Sequence, residues 1–242
     1  MPPTNLEVPI FTSLASAPSL PPNARLELNA PASYPAGGLT PPLPATLPTP
    51  RPPLRIMIRP RGAPPSSPDF IYTAQELSAM CASIRAFKPV LDPATDGFVF
   101  GVLRPAADAL DVGANRELVD EAAPFACTFH RAFDDVLGAG VISVPDAVRE
   151  VLGCGFDGIL TSGGPGNAVD NLGVLAQVVR AVDGAMDVLV GGGVRASNAA
   201  RILEAVGRSE RVWLHSSCLR AGTDEVDEGE LRDLAAVASQ AG

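Results

Sequence analysis

Residues 158–217 read GILTSGGPGNAVDNLGVLAQVVRAVDGAMDVLVGGGVRASNAARILEAVGRSERVWLHSS. Three short apolar runs stand out in this stretch: GILTS (158–162), DVLVGGG (187–193) and RVWLHSS (211–217). Each is rich in β-branched or aromatic residues and ends in glycine or hydroxyl side chains, as a buried strand running into a loop does. Between them, DNLGVLAQVVRAV (170–182) and ASNAARILEAVG (196–207) carry apolar residues at helical spacing, with Gly207 placed to stop the second helix. Strand, helix, strand, helix, strand at this length is the pattern of parallel βα units.

The same alternation extends towards the N-terminus. LEVPI (6–10), RLELN (25–29), LRIMIRP (54–60), GFVFGVL (97–103) and FACTFH (125–130) complete a set of eight strand candidates. TAQELSAMCASIRAF (73–87), GANRELVDEAA (113–123), VPDAVREVLGCG (144–155) and DEGELRDLAAVASQ (227–240) read as helices, the first with a Thr73–Glu76 capping-box spacing. Eight strands alternating with helices over this length predict an α/β fold, a (β/α)8 TIM-type barrel, as a single domain over residues 1–242. An open doubly wound sheet is the competing architecture, but no GxGxxG follows the first strand. Most of the 25 prolines lie before residue 70, and PPLPATLPTPRPP (41–53) cannot hold a regular helix. The first and second crossovers are therefore expected to be degenerate and proline-rich, with 41–53 irregular.

Composition excludes several function classes. The net charge is −9 and the pI about 4.7, so no electrostatic footprint for nucleic acid or an anionic membrane is present. No apolar run approaches the roughly 20 residues of a membrane helix, and no basic segment precedes an apolar one at the N-terminus, which predicts a cytoplasmic protein. Lys88 is the only lysine and lies beside Pro89 near a helix end, which removes Schiff-base and pyridoxal chemistry. Cys81, Cys127, Cys154 and Cys218 form no CxxC pair. Only Cys218, directly after His-Ser-Ser, falls near a strand end.

In a barrel of this type the ligand site forms at the C-terminal ends of the strands. Glu7 and Glu27 lie in the first two strands, each between apolar neighbours, and need partners if buried. Arg59 and Arg61 follow the third strand; His130, Arg131 and Asp134 follow the fifth; Ser162 follows the sixth; Gly191, Gly192, Gly193 and Arg195 follow the seventh; His215 and Ser216 end the eighth. Both histidines of the chain thus fall at strand ends. The pattern suits a small anionic, for example phosphorylated, metabolite. His130 would act as general acid or base, oriented by Glu7, Glu27 or Asp134. Arg59, Arg61 and Arg131 would clamp the anion, with backbone N–H groups from the glycine triplet, Ser162, His215 and Ser216 completing the site. A purely structural ion-pair network is the other reading of the same residues.

LEV (6–8), RLEL (25–28), GGLTP (37–41), MIRPRG (57–62), DGFVFGVL (96–103), TFHRAFD (128–134), ILTSG (159–163), GGGV (191–194) and the His-Ser pair at 215–216 resemble, in order, the motifs of the CutC family of copper homeostasis proteins. The resemblance implies a TIM-type barrel, a cytoplasmic location, homo-oligomers and binding of copper(I). It also exposes a departure: many members carry cysteines where this chain has Pro9 and Asn29, and those cysteines are the proposed copper(I) ligands. Cys218 is then the remaining thiol candidate for the metal.

Overall fold

The computed structural model describes residues 4–240; residues 1–3 and 241–242, included in the expected domain span, lie outside the described residues. Eight parallel strands close into a barrel in sequence order, β1 (Asn5–Ile10), β2 (Ala24–Leu28), β3 (Leu54–Met57), β4 (Gly97–Phe100), β5 (Ala126–Phe129), β6 (Gly158–Thr161), β7 (Asp187–Val190) and β8 (Val212–His215). The helices are α1 (Ala74–Phe87), α2 (Val112–Ala122), α3 (Ala132–Ala139), α4 (Val144–Cys154), α5 (Leu172–Val182), α6 (Ala196–Val206) and α7 (Glu228–Ser239). This is the TIM-type barrel expected from the alternation.

The first two crossovers carry only single 3-10 turns, Leu14–Ser16 and Tyr34–Ala36, and residues 41–53 hold no regular element. Proline locks φ and lacks an N–H donor, so a continuous helix cannot form there. Elsewhere the local signals hold. Thr73 and Glu76 form the reciprocal capping box of α1, and Ser143 caps α4 with Pro145 in the first turn. Helix α3 is absent from the sequence reading: only eight residues long, it starts directly at the end of β5 with Arg131 as its cap.

Strand parity decides what the barrel encloses. Leu6, Val8, Ile10, Leu26, Leu28, Leu54 and Ile56 join helix residues such as Ile84 and Leu234 in one apolar cluster between strands and helices. The alternate positions of β1–β3 place Glu7, Arg25, Glu27 and Arg55 inside the barrel, where all four are buried. In register, Glu7 sits beside both Arg25 and His215, and Glu27 beside Arg55. A charged interior of this kind is tolerated only when each charge finds a partner. Arg25 Nε donates to Glu7 Oε2 at 2.5 Å and stacks on Trp213 at 3.8 Å. Arg55 donates to the carbonyl of Thr95 at 2.9 Å. Glycines make room for these long side chains: a Cβ on Gly97 would lie 3.2 Å from Arg55 Nε, and one on Gly101 only 2.8 Å from the His130 ring.

Candidate functional site

A cavity of about 620 Å³ opens at the C-terminal ends of the strands, lined by residues from β1–β3, β5–β8 and their loops. Glu27 and His215 line one wall; with Glu7, which is fully buried and does not line the cavity, they each offer a ligand atom, all within 4.8 Å of one another. Closure of the barrel brings β8 beside β1, so residues 208 apart in sequence meet: His215 Nδ1 lies 2.9 Å from Glu7 Oε1. Burial pushes the Glu7 carboxyl up, but the Arg25 guanidinium and then His215 outweigh it and hold it well below the usual carboxylate range. With Glu7 ionised, Nδ1 of His215 is the donor and Nε2 is left for a ligand. Burial disfavours the imidazolium, yet the hydrogen bond to Glu7 and the charge of Glu27 raise the His215 pKa above its ordinary value.

Glu27 differs from Glu7. Burial and the neighbouring Glu7 charge raise its pKa against the pull of His215. Its Oε1 accepts from Asn29 Nδ2 at 3.0 Å, and its Oε2 has no partner although buried. Asn29, at one of the positions where the family resemblance implies cysteine, therefore orients a carboxylate in place of supplying a thiolate. Pro9, the other such position, lines the cavity without a donor.

Several expected roles change once side chains are placed. His130 is buried at the mouth, but none of Glu7, Glu27 or Asp134 contacts it. Its Nδ1 accepts from the Ala132 N–H at 3.3 Å, its ring packs on Phe70 with centroids 4.5 Å apart, and its Nε2 has no partner. Burial and the Arg59 charge lower its pKa to about 3, so it is a neutral N–H donor and not an acid–base group at neutral pH. Asp134 is held by the β6 end: it accepts from Thr161 Oγ1 at 2.5 Å, Ser162 N at 2.9 Å, Ser162 Oγ at 2.8 Å and Arg131 Nε at 2.7 Å. Ser162 belongs to this network and does not line the cavity.

Among the arginines, Arg59 lines the cavity but is committed to Asp69 at 2.5 Å and to the carbonyls of Ala36 and Gly38. Arg61 lies outside the cavity, bound to Glu76 at 2.6 Å and stacked on Tyr72, because β3 ends at Met57 and strand parity no longer governs its direction. Arg131 does line the cavity, as do Gly192, Gly193 and Ser216. Gly191 is used within the sheet, its N–H donating to Thr161 at 2.9 Å. Cys218 does not reach the mouth. It is fully buried beside Ser216, and burial raises its thiol pKa, as it does for Cys81, Cys127 and Cys154. The residues missed in the sequence are Arg25 and Arg55 beneath the carboxylates; the alternation that exposed Glu7 and Glu27 also placed them on the inner face.

The opposite directions of the two histidines give a direct expectation. Imidazole NMR shifts should show His130 neutral from pH 5 to 8, on the order of its ordinary titration range, while His215 titrates above the ordinary histidine pKa. A His130 midpoint near that of a free histidine would contradict its burial beneath Phe70.

A closed parallel barrel with a strand-end cavity, walled on one side by a carboxylate and an imidazole backed by a second, fully buried carboxylate, defines a TIM-barrel protein whose site is built from strand ends. The CutC family model matches residues 10–219, and the chain belongs to the CutC family. The copper homeostasis protein cutC homolog of Mus musculus is 36% identical over 159 residues, 65% of this chain and 53% of that protein. Its Homo sapiens counterpart is 35% identical over 159 residues, with the same coverage. A CutC family protein of Parabacteroides distasonis is 35% identical over 158 residues, 65% of this chain and 59% of the relative. The chain thus matches little more than half the length of these curated relatives. A CutC structure from Streptococcus agalactiae superposes with a TM-score of 0.71 at 22% identity, covering 88% of this chain and 98% of that one, a likeness of fold. No described helix is long and apolar enough to cross a membrane.

Proposed function

We propose that this protein serves copper homeostasis by binding a copper ion at the barrel mouth, through Glu27 and His215, with Glu7 holding the imidazole of His215 in place. The observation that carries the reading is the cluster itself: three potential ligand atoms within 4.8 Å, one of them on a buried carboxylate with an unpartnered oxygen. Family membership and the names of the mouse and human relatives support copper as the metal. The donor set does not suit copper(I), which prefers thiolates; imidazole and carboxylate suit copper(II). All four thiols are buried with raised pKa values, which disfavours the thiolate form that metals need. A cytoplasmic location and self-association belong to the same proposal, on the family resemblance.

The test is a copper titration against a competing chelator, in both oxidation states, on the wild type, Glu27→Gln and Cys218→Ser. Copper(II) is expected to bind one to one and to weaken by about tenfold or more in Glu27→Gln, since loss of one ligating charge exceeds the effect of a supporting residue. Cys218→Ser should bind as the wild type does. The reverse order, with Cys218→Ser weakened and Glu27→Gln unchanged, would remove the carboxylate–imidazole cluster as the metal site. Affinity should also fall as pH drops, because Glu27 and His215 both have raised pKa values and must lose protons to ligate.

A further inference from the structure

The carboxylate wall is one side of the cavity; β7, its glycine loop and the start of α6 form another. Arg195 caps α6 and lines the cavity, and its Nη1 is buried with no hydrogen-bond partner. His130, at 3% exposure, lines the same cavity and holds a second donor without an acceptor, Nε2. Buried donors left unsatisfied are rare, and each calls for a reason. Gly192 and Gly193 adopt φ of +88° and +71°, and among the described residues neither N–H donates to a protein acceptor. The Arg131 guanidinium lies against this loop, 3.5 Å from where a Cβ on Gly192 would sit. Arg131 already has Asp134 as its partner; Arg195 forms no ion pair among the described residues. One wall therefore carries a carboxylate oxygen without a donor, Glu27 Oε2, and another carries donors without an acceptor.

We propose that the Arg195–glycine-loop wall, with the His130 N–H, is a subsite for a small oxyanion, carboxylate or phosphate, that accompanies the metal in the cavity. The proposal rests on the copper reading for the identity of its neighbour, not for the anion contacts themselves. A guanidinium with a free N–H and two unpartnered backbone N–H groups are donors an oxyanion needs; the first turn of α6 does not add to them, since its Ala196 N–H already donates to Glu230 at 2.8 Å. A metal at Glu27 and His215 would leave coordination positions that the same anion can share, so that metal and anion neutralise each other inside the cavity.

Inorganic phosphate is the probe, applied to the full chain stripped of metal. Phosphate should raise the unfolding temperature of the wild type, and its affinity should fall about tenfold in Arg195→Ala, the loss of one charge-assisted hydrogen bond. Arg195→Lys, which keeps the charge and guards against a folding defect, should restore part of that affinity. Copper should bind more tightly in the presence of phosphate, and phosphate more tightly with copper, by the same factor. Equal phosphate binding by wild type and Arg195→Ala would overturn the subsite. Copper affinity indifferent to phosphate would overturn the pairing while leaving the copper reading intact. Phosphate binding that needs Arg195 in a protein that takes no copper would support the subsite and end the copper reading.

Discussion

Replacing Glu7 with alanine is expected to destabilise the protein by about 3–5 kcal/mol, the usual result of breaking a buried ion pair from one side. Glu7 is fully buried and serves two partners at once, Arg25 at 2.5 Å and His215 at 2.9 Å. Its removal strands the Arg25 guanidinium inside the barrel, with Asp187 at 3.8 Å as its remaining carboxylate. It also leaves Arg25 and Arg55 repelling each other with the more distant Asp187 as their shared counter-charge. Glu7→Gln keeps the volume and one acceptor and should lose less. Urea unfolding at neutral pH measures both; a loss below about 1 kcal/mol for the alanine variant, the size of an exposed pair, would show that water reaches this layer.

The same residue sets a pH dependence. Glu7 binds its proton less tightly folded than unfolded, so its contribution is full above the unfolded carboxylate pKa and is lost as pH falls below it. His215 is raised, so its contribution is full below the ordinary histidine pKa and is lost as pH rises through the raised value; Glu27, also raised, acts in the same sense. Because Glu27's contribution is full only below the ordinary carboxylate pKa, stability should fall on the acid side through Glu7 and on the basic side through Glu27 and then His215, and the acid limb should flatten in Glu7→Ala.

Asp134→Ala is the second large effect, at about 3–4 kcal/mol, because the cost of orphaned buried donors adds to the lost charge. Asp134 is 4% exposed and takes hydrogen bonds from Thr161, from the backbone and hydroxyl of Ser162, from Gly164 and from Arg131. It is the post that holds the end of β6 to the start of α3. Asp134→Asn retains an acceptor and should recover part of the loss. Asp134 lines the cavity but hydrogen-bonds to neither His130 nor the Glu7–Glu27–His215 cluster, so copper affinity of the folded variant should change little. A large fall in affinity with unchanged stability would return Asp134 to the ligand site.

Strand and helix identities were legible in the sequence because each βα unit is local: a short β-branched run, a loop of glycine or hydroxyl residues, and an amphipathic segment with its own cap. The proline tract was legible for the same reason, since the restriction acts within each residue. Glu7 and Glu27 were also legible as carboxylates in need of partners if buried, because each lies between apolar neighbours in a strand. Arg61 was misplaced as an anion clamp beside Arg59, because β3 ends at Met57 and alternation of side chains holds only while the strand continues. Helix α3 escaped notice because eight residues without an N-cap side chain give little periodicity to read.

Only tertiary closure decided which partner each charge received. Ring closure set His215 beside Glu7, giving that histidine a carboxylate, while the apolar cover of Phe70 left His130 neutral. In sequence the two histidines are equivalent strand-end residues. In the fold they titrate in opposite directions, because pKa is set by burial and by charges a few ångströms away in space, and neither is a property of neighbouring letters. Cys218 follows the same logic: its position after β8 placed it near the mouth in sequence, and packing beside Ser216 turned it into the core.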